Sequence, residues 1–473
     1  MHRFRAAMAA AAAVLLAGCD LAPPYVRPLP PVPPTWPSGP AYPTTAEGGP
    51  NDAAVWNWYS VMTDPRLQTL VRRALADNRN LQAAVANVAA ARAQYAVQRA
   101  GRLPTVAATA GASLRRGLAT SAANSSSYST DIGVSAFELD LFGRQKNLSR
   151  QAFERYLATD AGLASSRIAL VSATATAYVT LAADRDLLRI AQDTLLSGQR
   201  SVRLTRSLYD AGLAPMVDVA SAETTVAQAR SDIEQDTTLI AQDRNALVLL
   251  VGGPVGDELL PRSLAELESG IAVIPAGMTS DVLLRRPDVL EAEHQLKAAD
   301  AGIGAARAAF FPRITLTSAV GAASGALGAL LTGGALAATV APQATLPVLG
   351  GSTRGNLAYS KALRDYQLAL YRYAIQSAFR DVADGLARRG TIGRQRNAQR
   401  DLVAAADRTY RAAEAQYRAG TDTALNALVA QRTLYASRQT EASAIQQDLL
   451  NRISLYEYVG GDGSLAGRGE AGE

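Results

Sequence analysis

The 473-residue chain is dominated by alanine and holds only 6% aromatics, a balance that suits long helices with thin seams rather than a bulky globular core. Its formal charge is +5, with arginines and acids interspersed, so no concentrated basic stripe for nucleic acid is present. A single cysteine excludes a disulfide within the chain, and two histidines, His2 and His294, leave too little for a His-rich metal site or a His-based triad.

Arg3 and Arg5 precede a short apolar run, Ala6 to Leu16, too short to span a bilayer. It reads as a signal peptide over residues 1–18, whose removal leaves a charge of +3. The run ends in Leu16-Ala17-Gly18-Cys19, which resembles the lipobox of bacterial lipoproteins. That resemblance implies a lipidated Cys19, and several acyl chains at ~0.8 kcal/mol per buried CH₂ anchor firmly. Asp20 follows; in enteric bacteria an Asp there tends to keep a lipoprotein in the inner membrane. Residues 23–50 then hold 11 of the 21 prolines. Such a run is extended rather than helical, and residues 19–60 are expected to tether the anchor to the body.

From about Asp64 to Ala100 the pattern is helical, and Pro104 ends it. A second helical stretch runs from Arg144 to Tyr209, which at ~1.5 Å per residue reaches roughly 100 Å if unbroken. Within it Leu181, Leu188, Leu195, Val202 and Tyr209 recur every seven residues. Val219, Val226, Ile233, Ile240 and Leu247 do the same after a reversal, as do Leu428, Tyr435, Ala442, Leu449 and Tyr456 later. A sustained seven-residue seam means helices supercoiling on partners.

Four segments alternate with period two, at about 104–115, 129–139, 312–321 and 336–347. Val106, Ala108, Ala110 and Ala112 share a face in the first; Ile132, Val134 and Ala136 in the second. Ile314, Leu316 and Val320 share a face in the third, and Val340 and Ala344 in the fourth. Alternation over about ten residues is what a tilted transmembrane strand needs. Pro342 is awkward in a central strand and predicts a bulge or a strand end. Gly117–Ser127 and Gly325–Ala335 read as loops of equal length.

These landmarks come twice. Tyr209-Asp210-Ala211-Gly212 returns 208 residues later as Tyr417-Arg418-Ala419-Gly420, and Val251-Gly252-Gly253 as Val459-Gly460-Gly461. Arg99 pairs with Arg307, Pro104 with Pro312 and Gly143 with Gly351 at the same offset. A fixed period marks duplicated architecture. The expected organisation is repeat 1 over 64–253, a linker over 254–271, repeat 2 over 272–461 and a tail over 462–473. Each Tyr-x-Ala-Gly stretch should reverse the chain between two long helices, since Gly accepts positive φ. Open sheet edges are not tolerated in hydrocarbon. The smallest bacterial barrels need about eight strands, so if these four strands lie in a membrane several copies must share one barrel.

The chain resembles the outer-membrane efflux protein family, the TolC-like ducts, and within it the lipidated NodT-type branch. The marks are Cys19-Asp20-Leu21-Ala22-Pro23-Pro24-Tyr25, Phe137-Glu138-Leu139-Asp140-Leu141-Phe142-Gly143-Arg144, Leu284-Arg285-Arg286-Pro287-Asp288-Val289, Ala309-Phe310-Phe311-Pro312, Leu346-Pro347-Val348-Leu349-Gly350-Gly351 and the two Tyr-x-Ala-Gly turns. The implied fold is mainly α with a membrane β portion. Two tandem repeats give a long coiled-coil α-barrel and four transmembrane strands per chain, closed into a twelve-stranded barrel by a homotrimer. The resemblance implies the exit duct of a tripartite pump, lipid-anchored in the outer membrane and extending into the periplasm. It passes drugs or other toxic small molecules outward. Its implied partners are a periplasmic adaptor (membrane fusion) protein, an inner-membrane resistance-nodulation-division (RND) transporter and outer-membrane lipid; no cofactor, metal or nucleic acid is expected. A duct for type I polypeptide secretion or for metal-ion efflux is the alternative.

In the family the helices after the two turns narrow the periplasmic entrance. The helix-tip residues here are Tyr209, Gly212, Tyr417 and Gly420. The family's aperture positions fall on Leu425 and Arg432, and a third, usually acidic, falls on Val429. Asp218 and Asp422 are placed to supply acid instead. Symmetry copies of one charge about an axis make a selective ring. An enzyme is not expected: no phosphate loop is present, and Gly302-x-Gly304 is an incomplete dinucleotide fingerprint inside a helical stretch, read as packing.

Overall fold

The structure, a computed structural model, describes residues 20–43, 56–116, 125–275, 278–331, 336–348 and 350–461. The expected signal peptide over 1–18, the expected tail over 462–473 and part of each of the two expected loops lie outside the described residues. Helices α1 (Trp58–Val61), α2 (Pro65–Asp77) and α3 (Arg79–Ala100) lead to strands β1 (Val106–Arg115) and β2 (Ser125–Leu139). Helices α4 (Arg144–Asp210) and α5 (Met216–Val251) follow, then short α6 (Leu264–Leu267) and α7 (Pro287–Ala308). Strands β3 (Arg313–Ser324) and β4 (Leu336–Thr345) precede helices α8 (Gly351–Arg418) and α9 (Ala424–Tyr458). The chain divides into two compact units, each drawing on both repeats.

The first unit comprises the described part of Met1–Leu29 with Asn87–Asp160 and Glu291–Arg372. Its sheet has the order β1-β2-β3-β4, every neighbour antiparallel, so β1 and β4 each keep one edge without a partner strand in this sheet. β1 pairs with β2 from Val106↔Val134 to Arg115↔Ser125. The irregularity expected at Pro342 lies elsewhere. Pro342 stands in register opposite Leu316 in edge strand β4, a position where proline is tolerated. The register shift instead falls in β2 between Val134 and Phe137, where Ala136 adopts φ 51°. Its N–H donates to Thr317 Oγ1 at 3.1 Å. The extra residue resets the alternation that the sequence carries through Ala136.

The motif after β2 fixes the strand-to-helix junction. Asp140 accepts from the backbone N–H of Gln145 (3.0 Å) and of Lys146 (2.7 Å), satisfying first-turn donors of α4. Glu138, buried, gathers Arg144 at 3.0 Å, Gln145 at 2.9 Å and Arg313 at 3.0 Å. Phe142 stacks on Phe311 with centroids 4.6 Å apart.

The extended N-terminal segment is fastened residue by residue. Asp20 accepts from Asn147 Nδ2 at 3.1 Å and pairs with Lys146 at 3.3 Å. Burial pushes its carboxyl up, but the Ala22 N–H, Asn147 and Lys146 outweigh that and hold it below the ordinary value. Leu21 O accepts from Arg307 Nη1 at 3.0 Å. Ala22 crosses α7 at Gly304, where an added Cβ would lie 2.8 Å from the Ala22 backbone nitrogen. The Gly302-x-Gly304 pair is thus a close-approach feature, as expected. Glu293, 2% exposed, accepts from Tyr25 Oη at 3.1 Å and pairs with Arg27 and with Lys297.

The second unit comprises the described parts of Pro30–Ala86, Ala161–Leu290 and Tyr373–Glu473. Val61, Met62, Leu67, Leu70, Leu267 and Ile271 are fully buried, and Met62 bridges Ile271. The helix expected over Asp64–Ala100 is two helices. Asp64 caps the first by accepting from Arg66 N and Leu67 N. Asn78 interrupts it with extended φ/ψ, and its Oδ1 accepts from Leu81 N at 2.9 Å while its Nδ2 reaches Leu250 O at 2.9 Å. The tether docks here too: Trp36 stacks on Phe379 at 5.0 Å and donates to Met278 O at 2.7 Å. The seven-residue seam of α9 is buried at every position, Leu428, Tyr435, Ala442, Leu449 and Tyr456. Along α4 the seam fades, from Leu181 at 0% to Tyr209 at 40% exposure.

Candidate functional site

Within the second unit the two Tyr-x-Ala-Gly stretches close their helices identically. Gly212 (φ 77°) and Gly420 (φ 72°) are left-handed. Leu213 N–H donates to Leu208 O and Gly212 N–H to Tyr209 O, both at 2.8 Å. Thr421 N–H to Gln416 O and Gly420 N–H to Tyr417 O repeat the pair, both at 3.0 Å. This double bond is the Schellman closure, which needs a residue content with positive φ.

Beyond the glycines the tips diverge. Helix α5 starts at Pro215, which caps without a side-chain bond, and Asp218 lies half-buried in its first turn. There its charge favours the helix N-terminus. Helix α9 starts at Thr423, whose side chain accepts from Asn426 N, while Asp422 Oδ1 accepts from Thr423 N and Asn426 Nδ2, both at 2.7 Å. Tyr209 is exposed, whereas Tyr417 packs against Ala413, Ala427 and Ala430 and reaches Thr205 Oγ1 at 3.4 Å.

The three expected aperture positions share one outward stripe of α9. Leu425 is 59% and Val429 52% exposed, Arg432 is exposed one turn on, and Ala424, Ala427, Leu428 and Gln431 behind them are buried. Spacings of four and three keep the stripe on one face. Arg432 is held against α5: Nε donates to Thr225 Oγ1 at 3.2 Å, Nη2 to Ser221 O at 2.9 Å and to Thr224 Oγ1. Among the described residues Arg432 makes no ion pair with Asp218 or Asp422, so the expected acids are not brought to it. Further cross-links between the two hairpins escaped the sequence reading. Tyr435 Oη donates to Asp232 and Gln431 Nε2 to Ser197 Oγ at 2.9 Å. Tyr435 is a seam position and Gln431 a polar residue on the buried face, so the signal was a polar group in an apolar stripe.

Carboxylates cluster where α4 meets α5. Burial, then the neighbouring Asp184 carboxyl, pushes Asp243 up to about 7. Burial, then the charges of Asp184 and Asp232, pushes Asp236 up to about 6. Asp184 is raised by burial. No group of acids, histidines or cysteines among the described residues has the geometry to hold a metal. Cys19 lies outside the described residues.

A family model described as outer membrane efflux protein matches residues 70–253 and again 278–461. The chain belongs to the outer membrane efflux protein family. The two matches repeat the offset of 208 at both ends, so the tandem repeat belongs to the family pattern. A toluene efflux pump outer membrane protein of Pseudomonas putida, TtgC, is 43% identical over 458 residues, 96% of this chain and 94% of the relative. The antibiotic efflux pump outer membrane protein ArpC of Pseudomonas putida matches to the same extent, 43% over 458 residues with 96% and 94% covered. A solved structure of a membrane protein from Pseudomonas aeruginosa superposes with a TM-score of 0.87 at 35% identity, covering 95% of this chain and 99% of that one. As a family member the chain is an outer-membrane efflux channel component.

Proposed function

We propose that this efflux protein works as a homotrimeric exit duct, drawing organic solvents and antibiotics from the periplasm to the exterior. The observation that carries this reading is the unfinished sheet, with β1 and β4 at its edges. Unpaired backbone groups in hydrocarbon cost several kcal/mol each, so the edges must meet neighbours. Three copies of four strands make a closed barrel of twelve. The substrate class rests on relatives named for toluene and antibiotic efflux. Lipidation at Cys19 holds the chain to the outer membrane. A periplasmic adaptor and an RND transporter complete the pump.

The gate is the α8–α9 tip. Leu425, Val429 and Arg432 face the passage, and Asp218 and Asp422 add charge at the entrance. Arg432 and Tyr435 tie α9 to α5 through Thr225, Ser221 and Asp232. Opening is a change between two packings of the same seams, in which α9 releases these bonds and moves off α5. Deleting the gene should sensitise its host to toluene and hydrophobic antibiotics, and the intact gene should restore resistance. Unchanged resistance on deletion, in a strain without a second such duct, would sink the reading.

A further inference from the structure

The sheet has an apolar face and a polar face, and the bulge in β2 settles which charges stand on the polar one. Ile132 and Val134 pair with Val320 and Ser318, while Asp131 and Gly133 pair with Gly321 and Ala319. Continued without a break, that alternation would put Glu138 on the face of Ile132. The shift between Val134 and Phe137 instead sets Phe137 opposite Leu316 and Glu138 opposite Thr315. Glu138 therefore joins Asp131 on the polar face, and Phe137 joins Ile132 on the apolar one. Thr315 pairs in turn with Gln343, and Arg313 with Thr345, so these four share the face of Glu138.

At the end of the sheet that joins the helices, this face carries an excess of positive charge. Arg313 Nε pairs with Glu138 Oε2 at 3.0 Å, and Arg144 Nη1 with the same oxygen at 3.0 Å. The Glu138 side chain is 8% exposed, whereas those of Arg313 and Arg144 are 55% and 36% exposed. One held carboxylate thus meets two guanidinium groups, and among the described residues neither arginine has a second acidic partner. Asp140, the other carboxylate beside them, is engaged by the Gln145 and Lys146 N–H groups of α4. Asp131 stands opposite Gly321, toward the other end of the sheet. From Arg313 to Gly321, at ~3.3 Å per residue, is about 26 Å, several screening lengths at physiological salt. A cavity of about 500 Å³ opens beside the arginines, lined among others by Arg144, Arg313, Gln343 and Thr345.

We propose that Arg313 and Arg144 form an anion-favouring ring at the helix end of the barrel, where anionic solutes are drawn into the passage and cations are held back. The inference deepens the trimeric reading and rests on it: in a closed barrel the face of Ile132 and Phe137 meets lipid and the face of Arg313 lines water. Three copies then set three such groups around one axis, each with one positive charge in excess. Rings of arginine select anions because their fields add along a narrow passage between low-dielectric walls. Glu138 is the positioning residue, since it holds both guanidinium groups at the mouth of the cavity.

The test is a reporter thiol, Thr345→Cys, in the full acylated chain in membrane fragments. Position 345 is exposed and stands in register with Arg313, which puts the two Cβ atoms about 5 Å apart. Cys19, the one native cysteine, is silent once acylated. The anionic reagent sulfonatoethyl methanethiosulfonate should react several-fold faster than the cationic trimethylammonioethyl methanethiosulfonate, each taken relative to its rate with free cysteine. Arg313→Gln should lower that preference, Glu138→Gln should raise it, and Arg313→Lys should retain it. A disturbed fold would not move the two partners of one contact in opposite directions. Light scattering of the detergent-extracted protein reads the assembly separately. A trimeric mass with no charge preference, or with one that Arg313→Gln leaves unchanged, overturns the ring and leaves the duct standing. A monomeric mass overturns the trimer and the ring together.

Discussion

The two helix tips are closed by one device and finished by two. Gly212 and Gly420 carry the same left-handed turn and the same pair of backbone bonds. The first tip then exposes Tyr209 and starts α5 on an uncapped Pro215. The second tucks Tyr417 onto an alanine cluster and starts α9 on Thr423 with Asp422 behind it. Duplication preserved what the backbone demands and let side chains specialise. Within one chain the second tip is the one held down, by Tyr417, Gln431, Arg432 and Tyr435, which suits the release proposed for it.

That contrast can be broken in several ways, the largest effect first. Leu425→Ser with Arg432→Ser should raise single-channel conductance in planar bilayers several-fold, because on the proposed gate it removes an apolar constriction and the tie to α5. Unchanged conductance would take these residues out of the gate. Gly420→Val and Gly212→Val should each cost about 1–2 kcal/mol, since both Cβ positions are open and only the left-handed backbone objects. Unequal losses in thermal unfolding would show that the turns are not equivalent. Tyr417→Ala should lose about 1–2 kcal/mol of packing, less than a full core truncation. If Tyr209→Ala costs the assembled protein as much, the first tip is covered there after all.

The smallest effect concerns protons. Asp243 and Asp236 are raised from 3.8 to about 7 and about 6 in the folded chain. A folded state that holds its protons more tightly is favoured below the unfolded value and loses that advantage as pH rises through 6 to 7. Helical circular dichroism should therefore melt at a lower temperature at pH 8 than at pH 5. Asp243→Asn should flatten the dependence, and a steeper one would contradict the assignment.

Much of this was legible in the residues. The 208-residue period, the seven-residue seams and the alternation in Val106–Arg115 follow from repeats of residue polarity, which are written in the chain itself. The bulge at Ala136 was not, because alanine carries no mark of positive φ and Pro342 looked the better candidate. Asn78 was hidden for a similar reason: the pattern on either side stays helical, and its work is a bond to Leu250, far away in sequence. Arg432 was found as a position, but its partners Ser221, Thr224 and Thr225 were not, since hydroxyls and carbonyls leave no charge pattern to match.

Gly304 has a bearing on how the protein is tied down. Because α7 has no side chain there, Ala22 lies flush on the helix, and Asp20 and Leu21 are bonded on the way. An acyl group on Cys19 would begin one peptide step, about 3.8 Å between Cα atoms, from a residue that cannot drift. Among the described residues, Asp20 to Ala22 therefore lie fastened to α4 and α7, and any bulkier residue at 304 would lift them away.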